Sequence, residues 1–327
     1  MNATTATAPQ LKIKSTAPAT LNSASPTLTI KPKHATQSIS CRNCNHINDV
    51  CSTKDFEKFT CFHCSEVICL PVESKDFSLY NRSFETEYFQ IFDGLHKKSN
   101  FDGAVVTYNK DHLPDKKRGY IASAINKYIG FKIAHYLNPK YLVVCDQAYS
   151  AIRENRSYSV SKHLQTQGPI QVSEACLILS TVALSAHELA KKNIFDHFLP
   201  TDVVLDTDTH EVFLCDYGLR SEIVSIMDEH ANLFVEMLAP ETASRRPHNE
   251  ASAVYSLGIL ACTMMTGRLP FSEVNPRNIS NERELYLKEF ALTELPDKLK
   301  ELLNMNVHQR PSLLECHQIF LNLAQDH

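Results

Sequence analysis

Cys41 and Cys44 are separated by two residues, as are Cys61 and Cys64, and sixteen residues lie between the pairs. That spacing is the pattern of a structural zinc site. Each Cys-x-x-Cys turn presents two thiolates to one ion, and two turns complete a tetrahedron with Zn–S bonds of about 2.3 Å. A segment of this length cannot fold on apolar burial alone, whereas zinc binding supplies roughly 10–16 kcal/mol. Four thiolates close the coordination shell, so Zn²⁺ is expected to be structural and not catalytic. Asn45 and Ser65 follow the two turns, and Asn tolerates the left-handed backbone expected there. His46, Cys51 and His63 are further donors nearby. They break the two-turn symmetry, which leaves Cys41, Cys44, Cys61 and Cys64 as the expected ligands, against the bland reading of unligated buried thiols.

The segment 39–75 that carries these residues resembles a small zinc ribbon. Its charge is balanced, with Arg42, Lys54 and Lys58 against Asp49, Asp55 and Glu57, which favours contact with protein over nucleic acid. The chain as a whole has 33 Lys and Arg against 37 Asp and Glu, a formal net charge of −4, and this also argues against a nucleic-acid partner. Glycine is scarce, 8 of 327 residues, against roughly 7% in ordinary proteins. No glycine-rich phosphate cradle exists in the sequence. No run of about 18 apolar residues predicts a membrane span. Residues 1–38 are rich in Thr, Ala, Ser, Pro and Lys and contain no acid, glycine or aromatic residue. They are expected to form a disordered tail. Eleven cysteines, an odd number, and no secretory leader predict a reducing, cytoplasmic setting. Cys145, Cys176, Cys215, Cys262 and Cys316 sit singly in apolar stretches and read as small core residues.

From about residue 80 onward the composition is globular. Phe101 to Tyr108 alternates as a Val-rich strand. Gly119 to Tyr136 has helical periodicity, with Ile121, Ile125, Ile129 and Ile133 on one stripe. Tyr141 to Cys145 and Ala148 to Ile152 read as a strand pair. Ser173 is placed to cap a helix running to about Lys192. Val203 to Leu205 and Val212 to Leu214 flank a polar turn and predict a hairpin. Val254 to Met265 is apolar on all sides and predicts a buried helix.

Seven strings then occur in one order: Ala186-His187-Glu188-Leu189 at a helix end; Phe195-Asp196-His197-Phe198-Leu199-Pro200-Thr201-Asp202; Asp216-Tyr217-Gly218; Ala239-Pro240-Glu241; Ala253-Val254-Tyr255-Ser256-Leu257-Gly258; Thr266-Gly267-Arg268-Leu269-Pro270-Phe271; and Arg310-Pro311-Ser312. In this order and spacing they resemble the C-terminal lobe of a eukaryotic-type protein kinase, firmly over 170–320 and loosely over 80–160. The resemblance implies an α+β, bilobal fold. A degenerate N-lobe is expected over 80–158 and a mainly helical C-lobe over 159–327, behind the ribbon and the tail.

The same resemblance shows departures. Where the family carries its catalytic Asp, this chain has His197, and where it carries the catalytic-loop Lys, it has Leu199. The neighbouring His and Arg become Phe195 and Asp196. The strand Lys position falls on Thr107, the helix Glu position falls near Ile129, and the Asp opening the central C-lobe helix becomes Ala253. No catalytic residue is therefore expected at Thr107, His197 or Leu199. Asp202 and Asp216 remain as candidate ligands for Mg²⁺ and ATP. The resemblance also implies a buried ion pair between Glu241 and Arg310. With Asp196 at the family's phosphate-reading position, Ser221 and Ser225 read as ordinary loop serines. Two functional readings stay open: a pseudokinase acting as a binding or signalling scaffold for a protein partner, and a divergent ATP-dependent transferase using Asp202 and Asp216. A nucleic-acid adaptor built on the ribbon is the third.

Overall fold

The computed structural model describes residues 36–41, 43–51, 57–69, 71–110, 115–144, 148–155, 158–228, 231, 234–271 and 296–326. Most of the expected tail, and Cys145, lie outside them. Two short hairpins come first. β1 (Thr36–Ser40) pairs with β2 (Ile47–Cys51), and β3 (Lys58–Thr60) pairs with β4 (Val67–Cys69), both antiparallel. β1 thus takes in the last three residues of the stretch expected as tail.

The next sheet is built from β5 (Val72–Glu73), β6 (Phe77–Glu85), β7 (Phe89–His96), β8 (Phe101–Asn109), β10 (Tyr141–Val144) and β11 (Ala148–Glu154), in the order β10-β11-β8-β7-β6-β5. It starts at Val72, inside the stretch expected as ribbon. Alternation divides its side chains between two faces. Val72, Phe77, Leu79, Phe92, Val105 and Ile152 form one small core on the outer face. Val106, Tyr108, Tyr149 and Ala151 join the main core on the other.

α1 (Arg118–Ile129) lies against that inner face through Ile121, Ala124, Ile125 and Tyr128. The helix ends at Ile129, four residues before the last isoleucine of the periodic stripe. Ile133 lies beyond it, and Tyr136–Leu137 is instead β9, paired in parallel with β14 (Val212–Cys215). The expected hairpin is present as β13 (Val203–Leu205) and β14, flanked by β12 (Tyr158–Ser159).

The larger lobe is helical: α2 (Val160–Thr166), α3 (Val172–Ala190), α4 (Leu219–Met227), α5 (Pro240–Ala243), α6 (Glu250–Thr266), α7 (Asp297–Leu302) and α8 (Leu313–Asp326). α3 starts one residue before Ser173, and its N-cap is Gln171, so Ser173 does not cap it. In length and composition α3 would suit a bilayer, although no long apolar run was expected. It is the central helix of this lobe, packed against α6 and α8, with Cys176, Leu179, Val182 and Ala186 fully buried. α6 is buried on nearly every side, as its sequence requires. Asn249 accepts from Ser252 N–H while the Ser252 hydroxyl meets the Asn249 N–H, a reciprocal cap. Gly267, at φ 70°, ends the helix.

Candidate functional site

The four expected cysteines converge. Their sulfurs lie within 4.8 Å of one another, with Cys41 Sγ 3.6 Å from Cys64 Sγ and Cys44 Sγ 3.7 Å from Cys61 Sγ. A tetrahedral zinc with bonds of 2.3 Å places its sulfurs about 3.8 Å apart, so the donor set fits the ion. The two turns are copies of each other. Asn45 N–H donates to Cys41 O and Ser65 N–H to Cys61 O, with Asn45 at φ 58° and Ser65 at φ 62°. His46 and His63 stack on each other, 5.4 Å between ring centroids. Sequence reasoning missed Asn48, which is fully buried between the turns. Its amide donates to His46 O at 3.0 Å and to Cys61 Sγ at 3.6 Å, and its carbonyl accepts from Phe62 N–H at 2.9 Å. Burial alone would raise the Cys61 thiol, but the N–H groups of Cys64 and His63 and the Asn48 amide outweigh it and bring it down to about 6. A thiol so placed is readily held as the thiolate that a metal needs.

The cleft between the lobes is the second site. Asp216, just after β14, stands at φ 56° with its carboxylate buried. Arg153, at the end of β11, donates to Asp216 Oδ2 from Nε at 3.0 Å and brings Nη2 to the same oxygen at 3.0 Å. Asp202 is held the same way. Arg220, in the first turn of α4, donates to Asp202 Oδ2 from Nη1 at 3.1 Å and to Oδ1 from Nη2, and Leu199 N–H adds a bond to Oδ2 at 3.2 Å. All four side chains are nearly inaccessible. Burial opposes the charge on each arginine, but Asp216 for Arg153 and Asp202 for Arg220 outweigh it and shift both upward. Two carboxylates and two guanidinium groups thus form a neutral, closed cluster.

The turn over this cluster carries no glycine. Residues 86–88 join β6 to β7, and Tyr88 and Phe89 fold inward. Tyr88 donates its hydroxyl to Asp228 at 2.9 Å, and the Arg220 guanidinium lies 5.7 Å from the centre of the Phe89 ring. A cleft of about 450 Å³ persists beside them, with Ala104 and Arg153 in its wall.

Thr107 lies on the face of β8 turned away from the cleft. β8 turns Ala104, Val106 and Tyr108 toward the cleft and the main core, while Thr107 faces the other side, 3.2 Å from the Ser150 hydroxyl. A one-residue register error moves a strand residue to the opposite face. The inward position next after Ala104 is Val106, which is no more a cation than Thr107. Ile129 ends α1, and that helix has no Asp or Glu anywhere. Leu199 is packed in the core. His197 is buried, with its Nδ1 2.8 Å from Asp196 Oδ1 at an angle that makes no hydrogen bond.

Asp196 accepts from His197 N–H at 2.8 Å, Gly218 N–H at 3.0 Å and the Ser221 hydroxyl at 2.6 Å. Ser221 and Ser225 therefore lie in α4, not in a loop, and Ser221 anchors that helix to Asp196. The place vacated at Ala253 is met by Ser256, whose hydroxyl accepts from Phe198 N–H at 2.8 Å. Glu241 and Arg310 are joined by two bonds of 2.6 and 3.1 Å, and Arg310 also stacks on Tyr255 at 4.8 Å.

Comparison with known proteins agrees with this architecture. The profile of the family described as protein tyrosine and serine/threonine kinase matches residues 108–320. "Ribosomal protein S6 kinase beta" of Caenorhabditis elegans is 29% identical over 183 residues, 51% of this chain and 33% of the relative. "Serine/threonine-protein kinase PLK4" of Drosophila willistoni is 27% identical over 199 residues, 58% of this chain and 24% of the relative. "Ribosomal protein S6 kinase alpha-6" of Danio rerio is 32% identical over 139 residues, 40% of this chain and 18% of the relative. The chain spans a third or less of the length of these curated relatives. From the family match and the bilobal fold together, the chain belongs to the protein tyrosine and serine/threonine kinase family.

Proposed function

We propose that the protein is a pseudokinase: a kinase-shaped binding or scaffold protein that transfers no phosphoryl group and carries a structural Zn²⁺ on Cys41, Cys44, Cys61 and Cys64. The observation that carries this reading is the pairing of Asp216 with Arg153 and of Asp202 with Arg220. Phosphoryl transfer is mostly positioning and charge stabilisation by metal ions and cations. Mg²⁺ takes oxygen ligands in near-octahedral geometry. Here the two carboxylates that would serve it already face buried guanidinium groups about 3 Å away. Using Asp202 and Asp216 for Mg²⁺ and ATP, as a divergent transferase would, requires both arginines to leave their partners. Val106 and Leu199 supply no replacement cation.

The partner we propose is a protein. The ribbon exposes Ile47, Phe62 and Val67, which are 64%, 78% and 61% accessible, and apolar residues so displayed suit a protein contact. The free thiols Cys176, Cys215, Cys262 and Cys316 are all buried in the larger lobe, in keeping with a cytoplasmic setting.

The test is incubation of the purified full chain with radiolabelled ATP, Mg²⁺ and general protein substrates. Label on the chain or on a substrate no greater than with a heat-killed sample is the expected result. Incorporation well above that control overturns the proposal.

A further inference from the structure

Asp196, His197 and His248 form a second cluster, beside a cavity that Arg220 also helps to line. Each offers one ligand atom, and the three atoms lie within 4.8 Å of one another. From this juxtaposition and the buried His197 ring, whose nitrogens make no hydrogen bond among the described residues, we propose that Asp196, His197 and His248 bind a divalent cation of the zinc class, distinct from the ribbon site.

The first argument is the donor set. Two imidazoles and one carboxylate are the ligands that first-row divalent ions take, with zinc bonds of about 2.0–2.2 Å. A tetrahedral ion at that radius needs its ligand atoms roughly 3.3 Å apart. In the observed cluster the three ligand atoms lie within 4.8 Å of one another, and His197 Nδ1 is 2.8 Å from Asp196 Oδ1. Half-buried His248, in the loop between α5 and α6, is the ligand with room to adjust.

The second argument is independent of the first. His197 is 5% exposed, and among the described residues neither Nδ1 nor Nε2 has a hydrogen-bond partner. Nδ1 has only the misaligned 2.8 Å approach to Asp196 Oδ1 and Nε2 has no hydrogen bond; a buried imidazole so poorly satisfied is costly, and a metal ion removes that cost. The rings of His197 and His248 lie nearly parallel, 5.8 Å apart.

The surroundings suit the assignment. Asp196 already accepts from Gly218 N–H, His197 N–H and Ser221. A carboxylate has about four lone-pair sites; Oδ1 accepts from His197 N–H and Ser221 and Oδ2 from Gly218 N–H, so the site left for a metal is on Oδ2, while the other bonds fix its orientation, as outer-shell partners do. Three protein ligands leave a fourth position. It would open toward a cavity of about 320 Å³ that His197, His248 and Ser221 help to line, large enough for a bound water. The ion would join the catalytic-loop segment and the loop before α6 at one point. The inference does not depend on whether the cleft is silent, because Asp202 and Asp216 take no part in it.

The test is a metal count on the full chain, loaded with Zn²⁺ and gel-filtered, followed by stripping and titration with Co²⁺. Two zinc equivalents per chain are expected. The Co²⁺ spectrum should show thiolate charge transfer from one equivalent and a second ligand-field band without it. His248→Gln should hold one equivalent with the thiolate band intact. His248→Cys should regain the second and add thiolate charge transfer to it. A wild-type count of one, or His248→Gln retaining two, overturns the proposal. The wild-type count decides the matter even if a variant fails to fold.

Discussion

Asp216 accepts both of its arginine contacts on a single oxygen, from a strand 63 residues earlier in the chain. Asp202 takes a forked contact from Arg220, 18 residues later. Removing one partner of such a pair leaves a buried charge uncompensated, at a cost of about 3–5 kcal/mol. Arg153→Ala is therefore expected to lower the urea midpoint by an amount corresponding to that range. Arg153→Met combined with Asp216→Leu should recover most of it, since a well-packed apolar pair replaces a buried ion pair at little cost. A midpoint unchanged in Arg153→Ala would mean that the two side chains are not paired in solution. At the ribbon, Asn48→Ala should weaken zinc retention against a chelator by about 10–100-fold, the scale for loss of an outer-shell partner. Equal retention would show that Asn48 only fills space.

At the scale of elements, the decisive feature is α4, which begins directly after Asp216-Tyr217-Gly218 and carries Arg220 into the cleft. Gly218 permits this. It sits at φ 80°, and a Cβ there would meet Ile194 and come within 2.7 Å of the Tyr128 hydroxyl. Gly218→Ala should destabilise the fold by about 2 kcal/mol or more, read as a lower thermal midpoint; an unchanged midpoint would show that the segment has another resting conformation. Much of this level was legible in the sequence. The spaced cysteines, the β13–β14 hairpin, the buried α6 and the Glu241–Arg310 pair all follow from local pattern or from kinase-like order. The β6–β7 hairpin was not drawn from the sequence, because its turn has none of the glycines that mark the family. Which of Val106 and Thr107 faces the cleft is not legible in a run as apolar as Ala104-Val105-Val106. The α1 stripe was carried past Gly130, because periodicity alone does not register a helix end. Arg153 and Arg220 have partners far away in sequence. One signal was present: an arginine directly after Ala151-Ile152 in a core strand must find a buried acid.

The whole molecule combines a four-cysteine N-terminal segment, a six-stranded small-lobe sheet among the described residues and a helical lobe centred on α3 and α6. The frame of a kinase is intact, while the polar groups at its centre are bonded to one another. With Asp216 held by Arg153 and Asp202 by Arg220, neither carboxylate is free to bridge Mg²⁺ and ATP. A ligand that binds only the folded state raises its stability by RT ln(1 + [L]/Kd), so binding registers as a higher melting temperature. The most direct measurement is thermal unfolding of the full chain across a titration of ATP with Mg²⁺ into the millimolar range, with Asp216→Asn alongside. A flat midpoint for the wild type is the predicted result. A rise of several degrees in the wild type that Asp216→Asn abolishes would contradict it.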